Sequence, residues 1–240
     1  MKKKFSVILL VALFACAIYF FTHKEENVTS KHKWTPISIE EAVEIKGKNF
    51  VGSKPVILGS ARVAASARKY VNESIKEFEA NAKSGTSSGS SDPKSFLPLP
   101  YSIDMNAKYV QSFTTESIVI NQYLYTGGAN GNDFYRVFTG SIASDKVLLI
   151  KNVIDEKYHE NFVEFVKNRL FNYRPAGSND VVIFEDSVNA LTIDSFSNWS
   201  MDNQYLVLYF DKYTVAPGAL GSIVFPIPLS DVQSMMKIVR

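Results

Sequence analysis

Nine residues, Tyr123-Leu124-Tyr125-Thr126-Gly127-Gly128-Ala129-Asn130-Gly131, constrain this chain more than any others. An alternating apolar strand runs straight into a glycine-rich turn. Adjacent glycines accept positive φ without a Cβ penalty, so the backbone can reverse sharply there. Asn130-Gly131 is itself a hairpin dipeptide. The expected strands are Glu116–Thr126 and Phe134–Ile142, paired across the turn. In the first, Ile118, Ile120 and Leu124 alternate with Val119, Asn121, Tyr123 and Tyr125. Apolar residues on both faces mark it as a central strand.

Around this hairpin the hydrophobic periodicity places two main helices. In Ala61–Lys83, Val63, Ala67, Tyr70, Val71, Ser74 and Phe78 recur at helical spacing, with Ile75 beside them. Charged residues fill the remaining face, so this helix is expected to lie on a sheet with one side wet. Asp155–Phe171 is the second, with Asp155 as N-cap and Tyr158, Phe162, Val163, Phe165, Val166 and Leu170 as its buried stripe. Further strands are expected at Tyr101–Asp104, Lys108–Thr114, Lys146–Ile150, Val181–Phe184, Ala190–Ile193, Gln204–Phe210 and Ser222–Phe225. Some of Trp34–Leu58 reads as an edge strand, and Ser230 as the cap of a short final helix, Asp231–Val239. Strands grouped between helices, not strictly alternating with them, predict an α+β fold. Its expected form is a mainly antiparallel sheet with two main helices packed on it and a short C-terminal helix.

The N-terminus carries the localisation signal. Lys2, Lys3 and Lys4 precede Phe5–Phe21, which holds no charged residue. That run just reaches the length of a spanning helix, and the lysine bias puts the body outside. The expected division is residues 1–22 as signal anchor or signal peptide and 23–33 as a tether. Residues 34–240 follow as an extracytoplasmic α+β domain, with 84–95 a flexible Ser/Gly-rich loop. Retention in the cell membrane as a single N-terminal span is the first expectation. A lipoprotein attached through Cys16, and a secreted form, are the alternatives. All three export the body. Without the three leading lysines the chain has 23 basic and 24 acidic side chains. A near-neutral body gives no electrostatic case for nucleic acid. Cys16 is the only cysteine, so no intramolecular disulfide can brace the domain.

Tyr125-Thr126-Gly127-Gly128-Ala129-Asn130-Gly131 is followed in order by Val147–Ile154, Asn198-Trp199-Ser200 and Tyr205–Phe210. Tyr213-Thr214-Val215-Ala216-Pro217-Gly218-Ala219-Leu220-Gly221 and then Phe225-Pro226-Ile227-Pro228 come last. Taken together, these stretches resemble a family of exported bacterial domains of unknown function. It is the family shared by the outer domain of the lysozyme-sensing anti-sigma factor and the non-catalytic part of a peptidoglycan deacetylase. The first stretch resembles its Y-x-G-G-A-H hairpin, with Asn130 in place of the histidine, and the last two resemble its closing Y-x-x-A-P-x-x-x-G … I-P signature. The resemblance implies a membrane-anchored, non-catalytic domain of the cell envelope that binds a lysozyme-like protein or a peptidoglycan component. The four residues before Phe5 are expected to leave no room for a sigma-factor-binding domain, and no deacetylase segment is expected. Tyr125, Gly127, Gly128, Asn130, Gly131, Tyr213, Pro217 and Gly221 are the candidate structural or binding motif residues.

Catalytic chemistry finds little support in the residues. His23 and His32 lie in the tether, and His159 falls on the buried stripe of the second helix, where a hydrogen-bonded core histidine is expected. No Cys/His cluster offers a soft-metal site, and no cofactor is expected. Gly85-Thr86-Ser87-Ser88-Gly89 spells a nucleophile elbow, but it lies in the low-complexity loop without the strand-turn-helix context. Ser-x-x-Lys occurs four times and so discriminates nothing. The rival function is a cell-wall glycan hydrolase or modifying enzyme using carboxylates such as Glu185, Asp186 and Asp194, which requires a pair facing one cleft. A third reading is a structural module for another envelope protein. Tyr123, Tyr125, Phe134, Tyr135, Trp199, Tyr205, Tyr209 and Tyr213 gather on or near the expected strands, and aromatics serve both binding surfaces and strand packing.

Overall fold

A computed structural model describes residues 35–47, 49–84, 101–127, 130–174 and 183–237 of the 240-residue chain. The apolar segment Phe5–Phe21, the tether and the Gly85–Gly89 string lie outside the described residues. No helix among the described residues is long and apolar enough to cross a membrane. The fold is α+β, as the element pattern predicts, but the strands divide into two sheets.

The first sheet has the order β1 (Ser38–Lys46), β2 (Phe50–Leu58), β3 (Tyr101–Gln111), β4 (Thr115–Tyr125), β5 (Asn132–Ser141). The hairpin of β4 and β5 forms in the expected place, and β4 is central, with Ile118, Val119 and Ile120 all buried. Helix α1 (Arg62–Ser84) covers one face. Its Ala64, Ala67, Val71, Ile75 and Phe78 close on Ile103, Met105, Ile118 and Ile120. The cap of α1 comes from far along the chain: the Arg62 N–H donates to Asp145 Oδ1 at 2.8 Å. A carboxylate there satisfies an orphan donor and suits the positive end of the helix dipole.

The second sheet is β6 (Trp199–Met201), β7 (Tyr205–Phe210) and β8 (Ile223–Pro228), all antiparallel. Leu206, Leu208 and Phe210 alternate inward and meet Phe162, Val166 and Leu170 of the main second helix. That helix is α3 (His159–Phe171), preceded by the short α2 (Ile150–Val153). Helices α4 (Glu185–Asn189) and α5 (Leu229–Val232) complete the core of this half. Pro226 and Pro228 are tolerated because β8 is an edge strand paired only with β7.

The two halves meet through hydrogen bonds. As the last strand of its sheet, β5 has an outer edge whose backbone groups need partners. Asp211 Oδ1 accepts from the Tyr135 N–H at 2.7 Å, and Asn198 Oδ1 accepts from the Val137 N–H at 3.1 Å. Ser222 Oγ donates to the Asp133 carbonyl at 3.0 Å, and the Leu148 N–H to the Thr139 carbonyl at 2.7 Å. On the sheet face away from α1, Thr139 Oγ1 donates to the Trp199 carbonyl at 2.6 Å and shares a 2.9 Å bond with Ser117. No buried side-chain N or O atom among the described residues lacks a partner.

Several expected elements take other forms. Tyr101–Asp104 and Lys108–Gln111 belong to one strand, β3, which ends before the expected Ser112–Thr114. The β2–β3 pair is parallel, joining Phe50–Ser53 to Tyr101–Asp104 across α1. In Lys146–Ile150 only Val147 pairs, with Gly140, because Asn152 Oδ1 accepts the Leu149 N–H and turns the chain into α2. Ala190–Ile193 is a turn and not a strand. The Thr192 N–H donates to Ser195 Oγ at 3.0 Å, a local bond that outcompetes extended pairing. Residues 183 and 184 are not in a strand, and the rest of Val181–Phe184 lies outside the described residues. The last helix starts at Leu229 and not after Ser230, whose hydroxyl bonds Asp231. It gives way to a single-turn 3₁₀ segment, Gln233–Met235.

Asp211 also accepts from Arg136 Nη1 at 2.8 Å, so one carboxylate serves two donors of β5. Asp211→Ala is expected to cost about 1–3 kcal/mol, the range for stranding buried partners. Asp211→Asn keeps an acceptor for Tyr135 and is expected to cost about 1 kcal/mol or less. Urea unfolding of both variants checks this; equal losses would show that the backbone cap is not what Asp211 contributes.

Candidate functional site

The two glycine motifs, far apart in sequence, are brought together by the clasp at β5. At the hairpin, Gly127 has φ +91°, the positive value expected of it, and Gly128 lies outside the described residues. Gly131 does a different job. A Cβ on it would stand 2.3 Å from Tyr123 Cζ, so the tyrosine ring lies directly over its backbone. Tyr123 remains exposed, Tyr125 is half-buried, and Asn130 is exposed.

In the closing motif, Val215 and Ala216 are buried and anchor the segment. Pro217 leads into a 3₁₀ turn, Gly218–Leu220, and Gly221 leaves it at φ +69°, a value suited to glycine. Tyr213 also has φ +69°, which is uncommon for a non-glycine residue. The residue is 59% exposed. Its ring rests on Gly218, where a Cβ would come within 2.1 Å of Cζ. Lys212 links the motifs: Nζ donates to the Gly131 carbonyl at 3.2 Å and stands 5.3 Å over the Tyr213 ring.

Beside Tyr123, the sheet register sets Ser53, Asp104, Tyr123 and Asp133 in one row across β2 to β5, on the face away from α1. Ser53 Oγ donates to Asp104 Oδ1 at 3.0 Å. The next row carries Asn106, Asn121 and Tyr135, and the Tyr135 ring packs 4.9 Å from Tyr209. Hydroxyls, amides, carboxylates and aromatic faces thus share one surface next to both motifs. Such groups hydrogen-bond and stack on a polar ligand.

Three clefts among the described residues lie elsewhere. One of about 360 Å³ lies between α1 and the hairpin end of the sheet, with Phe78, Leu124 and Phe134 beside Tyr70, Glu77 and Arg136. Another, of about 490 Å³, lies between α3 and β8 and includes Arg169, Tyr173 and Phe225. A third, of about 210 Å³, includes Phe50, Glu79 and Lys83. None of the three carries two carboxylates. Glu185 and Asp186 occupy the exposed first turn of α4, where they favour its dipole, and Asp194 pairs with Lys151 at 2.7 Å. His159 Nε2 lies 3.2 Å from the Lys151 and Ile154 carbonyls, which suits an Nε2–H donor and a structural role. Among the described residues no group of three His, Cys, Asp or Glu could hold a metal ion.

One titratable group escaped the sequence reading. Glu116 is buried on β4, and the Tyr109 hydroxyl donates to its Oε2 at 3.3 Å. Burial raises the carboxyl above its usual range; the Tyr109 bond opposes this and the Asp145 charge adds to it. Burial, with the Glu116 charge, pushes the Tyr109 hydroxyl up to about 12. The residues that assemble the site, Asp211, Lys212 and Gly218, were also not singled out. Only Gly218 had a sequence signal, its place inside the closing motif.

Comparison with known proteins bears directly on this architecture. Residues 149–230 match the DUF3298 family, described as a protein of unknown function. The match takes in α3, the three-stranded sheet and the closing motif, and leaves out the hairpin. The chain is also 24% identical to Peptidoglycan-N-acetylmuramic acid deacetylase PdaC of Bacillus subtilis (strain 168), over 98% of its length. It spans about half, 50%, of that relative. Two solved DUF3298 proteins share the fold. One, from Bacteroides fragilis NCTC 9343, has a TM-score of 0.59 at 12% identity, covering 84% of this chain and 94% of that one. The other, from Pseudomonas aeruginosa PAO1, has a TM-score of 0.50 at 15% identity, covering 85% and 96%. The resemblance read from the two motifs thus holds: this is a chain related to DUF3298 proteins and to a peptidoglycan deacetylase.

Glu116 makes the stability of the domain pH-dependent. Its folded pKa is raised, so its favourable contribution is fully present below the ordinary glutamate value of about 4.3 and is lost as pH rises through the raised value. Glu116→Gln is uncharged at every pH and keeps an acceptor for Tyr109. The variant is expected to melt at a higher temperature than the parent at pH 7 and to lose that advantage near pH 4. An equal advantage at both pH values would show that ionisation of Glu116 is not the cause.

Proposed function

We propose that this chain is a non-catalytic binding domain of the bacterial cell envelope, anchored in the membrane by its N-terminal segment and recognising peptidoglycan. The observation that carries this is the match, over 98% of the chain, to half of a protein named for its action on peptidoglycan. The surface chemistry supports it. The tyrosines, amides and carboxylates beside the two motifs suit a polar, hydroxyl-rich ligand, and none of the three clefts described above, among the described residues, brings two carboxylates together as glycoside hydrolysis requires. The placement outside the cytoplasm rests on Lys2–Lys4 and the uncharged Phe5–Phe21.

The test uses the full 240-residue chain in mild detergent, sedimented with purified peptidoglycan sacculi and titrated calorimetrically with soluble muropeptides and with lysozyme. Saturable binding to sacculi and muropeptides is expected. Binding to lysozyme alone would make the domain a receptor for that protein, the other ligand the resemblance implies. Binding to neither would overturn the reading. For the anchor, protease added to intact protoplasts is expected to degrade the body, and washed membranes to retain the undigested protein. Recovery of the protein in the soluble fraction would overturn retention.

A further inference from the structure

Tyr123 and Tyr213 share an arrangement that folding alone does not call for. Each is an exposed aromatic ring laid over a glycine backbone, Gly131 under one and Gly218 under the other. Each ring lies so close to its glycine that a Cβ there would meet the far end of the tyrosine side chain. Burial explains little of this for Tyr213, which keeps 59% of its surface in water. It also sits at φ +69°, a conformation that Gly or Asn adopts far more readily. A strained, exposed residue whose neighbours hold it in place is the pattern found at ligand clamps. Lys212 ties the pair together through the Gly131 carbonyl and the Tyr213 ring.

We propose that Tyr123 and Tyr213, joined through Lys212, form a platform on which a strand of N-acetylated amino sugars lies. This rests on the peptidoglycan reading above and names the surface and the part of the polymer it takes. The C–H face of a pyranose ring packs on an aromatic face while its hydroxyl and acetamido groups point sideways. The row from Ser53 through Asp104 to Asp133 flanks Tyr123 with acceptors and donors for those groups, with strands about 4.8 Å apart. An ammonium has three N–H donors, so the bond from Lys212 to Gly131 leaves capacity for a ligand oxygen. A protein ligand would call for a larger apolar centre than two tyrosines bordered by carboxylates and amides.

The experiment compares the full chain in detergent with Tyr123→Ala, Tyr213→Ala, their Phe counterparts and Tyr213→Gly. Each is sedimented with purified sacculi over a concentration range, with melting temperatures measured alongside. Each Ala variant is expected to weaken binding by roughly tenfold, the scale of a well-packed aromatic contact. The Phe variants keep the ring and are expected to stay within about threefold of the parent. Tyr213→Gly is expected to lose binding as Tyr213→Ala does while melting no lower than the parent, because glycine relaxes the backbone. Parent-like binding by both Ala variants would overturn the platform and leave the peptidoglycan reading standing. No binding by the parent would overturn that reading and the platform with it. Losses of binding matched by losses of melting temperature in every variant, Tyr213→Gly included, would reduce the tyrosines to packing and overturn the proposal. Tyrosine-dependent binding to lysozyme without binding to sacculi would assign the surface to a protein and overturn it as well.

Discussion

The outer edge of β5 is the constraint on which the rest of the domain depends. A terminal strand leaves alternate N–H and C=O groups without a ladder partner, and burying them unpaired is costly. Here Asp211, Asn198 and Ser222, all from loops of the second sheet, reach across to Tyr135, Val137 and Asp133. Each half has its own apolar core, one under α1 and one under α3. The seam between them combines hydrogen bonds with ring packing, as where Tyr135 meets Tyr209. Apolar contacts tolerate sliding, whereas hydrogen bonds to alternate backbone groups admit one register, so the seam fixes how the halves face each other.

The candidate site follows from that register. With Asp211 and Ser222 pinned to β5, the segment between them has to run beside the hairpin, and Lys212 falls within reach of Gly131. Two motifs separated by most of the second sheet become one surface. Their glycines serve different ends. Gly127 and Gly221 hold backbone angles that side chains resist, while Gly131 and Gly218 make room for tyrosine rings. Sequence inspection reads all four as turn signals because the two uses look alike along the chain. The distinction lies in what sits above each Cα.

Legibility varied with the range of the forces involved. Helices α1 and α3 and the β4–β5 hairpin were readable because amphipathic spacing and turn chemistry act within a few residues. Ala190–Ile193 and Lys146–Ile150 looked like strands by apolar content, but Ser195 and Asn152 side chains captured nearby backbone groups and bent the chain. Asp145 as the cap of α1 was unreadable, because it arrives from a turn far downstream. Glu116 was hidden inside an expected strand, where nothing local marks a carboxylate as buried. Its raised pKa is a property of what surrounds it.

By itself the sequence determined the local elements and their class. It set the alternation that makes β4 central, the stripe that lays α1 on a sheet, and the glycines that permit the hairpin. It also carried the family resemblance through two motifs. Only the tertiary structure decided that the strands form two sheets, that β2 and β3 run parallel, and that Lys212 reaches both the Gly131 carbonyl and the Tyr213 ring. The physical reason is that periodicity and turn propensity are short-range and additive along the chain. Sheet partnership and side-chain capping are settled by which distant backbone groups would otherwise be buried without partners, and at β5 those partners come from the far half of the domain.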